Sequence, residues 1–122
     1  MNETMITTLR AMCADPEAAL RRFAGNTSLY RRFLLKFVED STMRGMNEAL
    51  VTEDWDGMLK AAHTLKGVAG SLGLTPLYNA SSEIVSVLRT GNTQAARTAF
   101  DTLQDAYTKL CTAINQMKED VL

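Results

Sequence analysis

Apolar residues recur at intervals of three and four along almost the whole of this 122-residue chain. No useful length alternates apolar and polar residues with the period of two that marks a half-buried strand. The spacing predicts helices that each bury one apolar face, so we expect an all-α fold. The length allows one core, and we expect a single domain over residues 1–122 with its core at about 16–118.

Turn-forming residues divide this pattern into short and long helices. A short helix is predicted before Asp15-Pro16, and a second one ends at Gly25-Asn26. Because short connections place consecutive helices side by side, we predict an antiparallel up-down four-helix bundle with one or two short N-terminal helices packed on it. The four long segments are expected at 27–50, with Gly45 as a candidate bend; from 53 to Gly73; from Thr75 as N-cap and Pro76 as first helical residue to 88; and at 96–117.

Charge and hydropathy argue against two classes of partner. The net charge is about −1, and Lys and Arg are interspersed with Asp and Glu, whereas a nucleic-acid surface needs concentrated positive charge. No apolar run approaches the roughly 20 residues of a membrane-spanning helix, and the first residues lack the features of a secretory signal. We therefore expect a cytoplasmic protein without a nucleic-acid or membrane partner.

The two cysteines, Cys13 and Cys111, are far apart in the sequence and form no CxxC pair. Both fall near helical apolar positions, where a free cysteine behaves as a small hydrophobic residue, so we interpret them as buried or half-buried thiols. A disulfide stays open as an alternative, because the two ends of a helical bundle can lie side by side. One histidine and two isolated cysteines make no plausible zinc site, and we predict no metal and no cofactor.

The helix predicted to end at Gly73 carries the only histidine of the chain. At about 100° per residue, its apolar stripe is centred near Ala62 and Ala69, and His63 points roughly 120° away from that centre. A single histidine on a helix is usually structural. The off-core position of His63 nevertheless makes it a candidate functional residue.

Two glycines and a lysine share this side of the helix. Gly67 and Gly70 each cost about 1 kcal/mol relative to alanine inside a helix, which close packing or access for another molecule would explain. A large side chain at position 67 would lean over the turn that carries His63. Lys66 lies three residues beyond His63; its default role is a solvated side chain, but it could also bind a phosphoryl group and favour a neutral, nucleophilic ring.

The segment HTLKGVAGSLG at residues 63–73 resembles the signature of the histidine-containing phosphotransfer (HPt) domain, in which His-x-x-Lys-Gly is followed by a small residue or Gly and then Leu-Gly. The same glycines do not suit a phosphate-binding loop, because the GK[ST] ending and a preceding strand are missing. The resemblance covers roughly residues 16–115. Further matching segments are 20–25 with Leu29-Tyr30, Phe37 with Asp40, and Asp54-Trp55.

The resemblance implies a four-helix bundle that takes a phosphoryl group from the aspartate of one receiver domain and returns it to another. His63 corresponds to the phosphoacceptor, Lys66 to the lysine beside the phosphate, and Gly67 to the glycine that gives the partner clearance. The family often has a polar residue facing the histidine, and this chain has Val85 there, with Glu83 and Ser82 nearby. A hydrogen bond from that position to the imidazole is therefore not expected.

The resemblance also implies the partners, namely response-regulator receiver domains and a hybrid sensor histidine kinase, which could be part of the same polypeptide. Gly70, Lys60 and Ser71 are predicted to contact the partner. We expect a monomer without kinase activity of its own, and Mg²⁺ bound only by the partner receiver. The main alternative is a helical adaptor that docks receiver or kinase partners while His63 never carries phosphate.

Overall fold

The computed structural model describes residues 2–119, and within this range it is all-α, without a strand. Two short helices precede the bundle, as the sequence predicts, and five further helices follow. The seven helices of the described chain are α1 (Asn2–Ala11), α2 (Pro16–Arg22), α3 (Thr27–Phe37), α4 (Thr42–Val51), α5 (Trp55–Leu72), α6 (Thr75–Arg89) and α7 (Thr93–Glu119).

The helices pack into a bundle in which most helices contact the next one along the chain. Helix α5 packs on α4 and α6, α6 packs on α7, and α3 contacts both α5 and α7. Helix α1 packs on α2 and α7, while α2 packs on α3 and α5. The expected all-α helical bundle is thus confirmed. Its largest fully buried side chains include Tyr30, Leu34, Met46, Met58, Leu65, Leu77, Ile84, Phe100 and Leu103.

The long segment predicted at 27–50 is two helices, which is a correction to the sequence analysis. The chain leaves α3 after Phe37, and the Asp40 carboxylate accepts a hydrogen bond from the Thr42 amide at 2.7 Å, just as α4 begins. Gly45 was the wrong place for a bend, because it lies inside α4. An Asp side chain that bonds to the backbone two residues on competes with the helix, and this explains the position of the break.

Local capping fixes both ends of α5. The Asp54 side chain accepts a hydrogen bond from the Gly57 amide at 3.0 Å, which satisfies one of the free donors of the first turn. Gly73 ends the helix in the left-handed conformation, with φ 69°, as its type predicts. Helix α6 starts at Thr75 after Leu74, so Thr75 is the first helical residue and not the predicted cap.

Candidate functional site

The structure places His63 on the solvent-exposed side of α5. The buried face of this helix comprises Met58, Ala62, Leu65, Ala69 and Leu72. That face agrees with the predicted stripe. The imidazole is therefore available to another molecule, while the opposite side of the same helix is held in the core.

The C-terminal end of α5 is tied to the N-terminal helices by three hydrogen bonds. Helix ends leave carbonyl groups without partners inside the helix, and here three consecutive carbonyls accept hydrogen bonds from donors outside it. Such contacts fix the helix that carries His63 relative to α2 and α3. The donors are the Arg22 guanidinium to Ser71 at 3.3 Å, the Tyr30 hydroxyl to Leu72 at 2.7 Å and the Asp15 amide to Gly73 at 2.7 Å.

A groove with a volume of about 550 Å³ runs along α5 from His63 towards Gly73. Its walls come from α5, from the start of α6 and from the segment around α2. His63, Lys66 and Gly67, which the sequence analysis grouped together, all line it. The lining also includes residues from outside α5 that the sequence did not indicate for the site: Asp15, Ala18, Arg22, Thr75 and Tyr78.

Lys66 is half-buried in this groove, and its ammonium lies over an aromatic ring. The Nζ atom is 5.7 Å from the centroid of the Tyr78 ring, which is within the range of a cation–π interaction. Gly70 makes room for the same ring, because a Cβ at position 70 would lie 3.2 Å from Cδ1 of Tyr78. Gly70 therefore has a packing role, and its predicted contact with a partner stays a prediction.

Gly67 differs from Gly70 because nothing fills the space beside it. A Cβ at position 67 would meet no atom within 4 Å, and the residue is exposed. It also borders a second groove, of about 400 Å³, between α3 and α5. The side chains of that groove are mostly apolar: Phe23, Phe33, Phe37, Val68 and Leu72, with Lys36, Asp40 and Ser71 at the polar positions.

Phe33 belongs to this second groove and not to the core. It follows the apolar spacing of the long segment predicted at 27–50, but 44% of its surface is exposed. Its ring packs on Phe23 with the centroids 5.4 Å apart. The exposed Phe33 and the half-buried Phe23 form an apolar surface in the groove that borders Gly67.

The remaining predicted contact residues lie on either side of the groove. Ser71 is exposed and borders both grooves. Lys60, one turn before His63, is not part of the groove lining; its side chain is 79% exposed and its ammonium lies 3.6 Å from the Asp56 carboxylate. The structure therefore brings Ser71 to the site and leaves Lys60 beyond its end.

Val85 lies in the core, with 2% of its surface exposed. Its side chain has no hydrogen-bonding group, so it cannot orient the imidazole as a polar residue would. Glu83 is exposed, and the Ser82 hydroxyl is a buried group without a hydrogen-bond partner. These placements agree with the departure from the family pattern noted in the sequence.

The cysteines are free thiols, and the prediction for Cys13 needs correction. Cys111 is half-buried in α7, as expected, and burial raises the pKa of its thiol. Cys13 is exposed and lies in the turn after α1 with φ 63°, because the helix ends at Ala11. Among the residues that the structure describes, no group of three His, Cys, Asp or Glu side chains could hold a metal ion, and no helix there is long and apolar enough to cross a membrane.

The fold and this site define a helical bundle that presents a single histidine to solvent beside a lysine. A family model, the Hpt domain, matches residues 32–113, about two thirds of the chain. The chain therefore belongs to the Hpt domain family, whose members carry phosphoryl groups in two-component phosphorelays and interact with receiver domains. No curated protein and no solved structure matches the chain.

Tyr78 is the main site residue that the sequence analysis missed. The sequence contains a usable signal, because two antiparallel helices joined at Gly73-Leu74 bring together residues that lie equally far before and after Leu74. Residues 70 and 78 are such a pair. A glycine opposite a tyrosine in this register indicates a ring packed against the backbone.

Proposed function

We propose that His63 accepts a phosphoryl group from the aspartyl phosphate of one receiver domain and passes it to the aspartate of another. The observation that carries this proposal is the exposed position of His63 in the groove, next to Lys66 and the open space at Gly67. Membership of the Hpt domain family supports phosphotransfer in general. The assignment to His63 rests on the additional fact that the sequence has only one histidine.

The chemistry needs one ring nitrogen with a free lone pair. That nitrogen attacks the phosphorus atom, the N–P bond forms, and the P–O bond to the aspartate breaks as the carboxylate leaves with the electron pair. The other ring nitrogen keeps its proton. Attack by the carboxylate of a second receiver reverses these steps, because a phosphorylated imidazole is a good leaving group.

The contribution of this chain is positioning and charge. Phosphoryl transfer depends mainly on in-line placement and on stabilisation of the charge on the phosphoryl oxygens. A rigid helix anchored at its end holds His63 in place, and Lys66 supplies an ammonium for those oxygens. We expect the receiver to bind the divalent ion, and this protein to have no kinase activity of its own.

Docking is proposed at the surface around Gly67. A partner backbone can approach α5 there because no side chain stands at this position. The apolar groove with Phe33 and Val68 borders the same point and offers area that a partner can bury. Ser71 borders both grooves and is proposed to contact the partner as well.

A labelling experiment with a phosphorylated receiver domain tests the assignment. We expect transfer of ³²P to the chain, in a form that is stable in alkali and lost in acid, because an N–P bond has these properties. His63→Gln should abolish the label while the far-ultraviolet circular dichroism stays unchanged. Label that persists in His63→Gln would contradict the assignment.

The adaptor alternative predicts a different result in the same experiment. If a receiver binds the chain but no label moves in either direction, the bundle is a docking platform and the proposal is wrong.

A chelator in the reaction tests the expected metal on the receiver, because transfer should stop although binding to this chain need not change. The monomeric state and the cytoplasmic location stay predictions, which sedimentation and cell fractionation would test.

A further inference from the structure

The ammonium of Lys66 lies over an aromatic ring that packs against the next turn of α5. The Tyr78 ring, over which it lies at 5.7 Å, packs against Gly70, one turn towards the C-terminus of α5. His63 lies one turn towards the N-terminus. The contact with the ring therefore favours lysine conformations directed towards Gly70 over those directed towards His63.

No carboxylate of the described residues lies within ion-pair distance of this ammonium. Among the residues that the structure describes, Lys66 takes part in no ion pair, whereas Lys60 pairs with Asp56 and Lys109 with Asp105. Tyr78 is 39% exposed. It is therefore not a core residue, and the ammonium can reach the face of its ring. The flexible stem of a lysine allows the ammonium to reach either neighbouring turn.

We propose that Tyr78 is a positioning residue that holds the Lys66 ammonium in the unphosphorylated protein and releases it when His63 is phosphorylated. The proposal rests on the function proposed for His63. A phosphoryl group is an anion with strong acceptor oxygens, and it binds an ammonium more tightly than an aromatic face does. The ring and the phosphoryl group thus compete for one ammonium.

This competition lowers the stability of the phosphorylated form and makes onward transfer easier. An exposed cation–π interaction is weak, and its loss corresponds to a change of about two- to fivefold in an equilibrium constant. Without the ring, Lys66 would be free to stay near His63. The equilibrium between the phosphorylated receiver and the phosphorylated histidine would then shift towards the histidine by about two- to fivefold.

The first test is the transfer equilibrium between a receiver aspartyl phosphate and this chain. Tyr78→Leu should shift the ratio towards the phosphorylated histidine about two- to fivefold, whereas Tyr78→Phe, which keeps the ring face, should restore the wild-type ratio. In a Lys66→Met background the same Tyr78→Leu change should have no effect. An unchanged ratio in Tyr78→Leu, or a shift that persists without Lys66, would overturn the proposal.

A second test does not need a receiver. A ring current shifts the resonances of protons above an aromatic face, so the terminal methylene protons of Lys66 should be shifted upfield in wild-type protein and in Tyr78→Phe but not in Tyr78→Leu. Phosphoramidate can phosphorylate His63 directly: its P–N bond breaks, the imidazole N–P bond forms and ammonia leaves. The Lys66 resonances should then move towards their values in Tyr78→Leu.

These tests separate the two proposals. If the chemically phosphorylated protein keeps the shifted Lys66 resonances, the release of Lys66 is wrong whatever the natural phosphodonor is. If the resonances move but no receiver transfers phosphate to the chain, the function proposed for His63 fails while the competition for Lys66 stands. Circular dichroism of each variant shows whether the bundle is folded.

Discussion

The hydroxyl of Tyr30 donates a hydrogen bond to the carbonyl oxygen of Leu72 across 2.7 Å, and the tyrosine is fully buried. This contact joins α3 to the last residue of the helix that carries His63. We predict that Tyr30→Phe lowers the free energy of unfolding by about 1–2 kcal/mol, because a buried carbonyl loses its partner. Urea denaturation measures this change.

A matched control for this substitution is Tyr78→Phe. The Tyr78 residue is exposed, so removing its hydroxyl should leave the free energy of unfolding nearly unchanged. Equal effects of the two substitutions would mean that the hydrogen bond to Leu72 contributes nothing specific. The folded Tyr30→Phe protein should still accept phosphate, because the ring continues to fill the core.

The buried Tyr30 should also make the stability of the protein depend on alkaline pH. Burial, and then the nearby Glu17 and Asp15 carboxylates, raise the pKa of Tyr30, and burial followed by Cys111 raises the pKa of Tyr107. The pKa of each tyrosine is thus higher in the folded protein than in the unfolded chain, where it is about 10. Its contribution to the free energy of unfolding is fully present below that pH. That contribution is lost as the pH rises towards the folded pKa.

The free energy of unfolding should therefore fall above about pH 10. The decline should be shallower in Tyr30→Phe and shallower still in the double variant with Tyr107→Phe. Denaturation curves recorded at a series of alkaline pH values measure these slopes. Parallel declines in all three proteins would show that other groups govern the loss of stability.

The sequence predicted most features of the fold that depend on interactions between neighbouring residues, and it failed for those that depend on contacts between helices. Local signals located α5 correctly, because its cap at Asp54 and its end at Gly73 act through neighbouring residues. The break at Asp40 was missed, because apolar spacing continues across it while a side-chain hydrogen bond interrupts the helix. The exposure of Phe33 depends on how α3 sits against α5, which the periodicity of a single helix does not contain.

The residues of the candidate site likewise separate into those that local sequence signals predicted and those that depend on contacts between helices. The off-core position of His63 followed from helix geometry alone. The contact of Lys66 with Tyr78 needed the register between two helices, and the lining by Arg22 and Asp15 needed the placement of the N-terminal segment. Interactions between elements are therefore what the structure added.

The positive charge of Lys66 should affect the rate of phosphoryl transfer to His63. Lys66→Met should slow transfer to His63 about tenfold, because the phosphoryl oxygens lose a charge-assisted hydrogen bond. Lys109→Met is the matched control, since that lysine is exposed on α7 and pairs with Asp105 at 3.0 Å. Rapid-quench measurements of labelled histidine give both rates. Equal rates for the two variants would remove Lys66 from the proposed mechanism.

Gly67 offers a test in which stability and transfer move in opposite directions. A Cβ at this position would meet nothing within 4 Å outside its own helix backbone, and glycine inside a helix costs about 1 kcal/mol relative to a good helix former. Gly67→Leu should therefore raise the free energy of unfolding by about 0.5–1 kcal/mol. Its side chain would lean over the turn of His63 and should slow transfer at least about tenfold, because in-line placement is lost.

Gly45 provides the control, because it is a helical glycine in α4 that also has nothing within 4 Å of its Cβ position. Gly45→Leu should raise the stability by a similar amount and leave the transfer rate as in wild type. Urea denaturation and rapid-quench transfer are measured on both variants. If Gly67→Leu is more stable and transfers at the wild-type rate, the partner does not approach His63 over Gly67. If it is less stable, the space beside Gly67 is not open in solution.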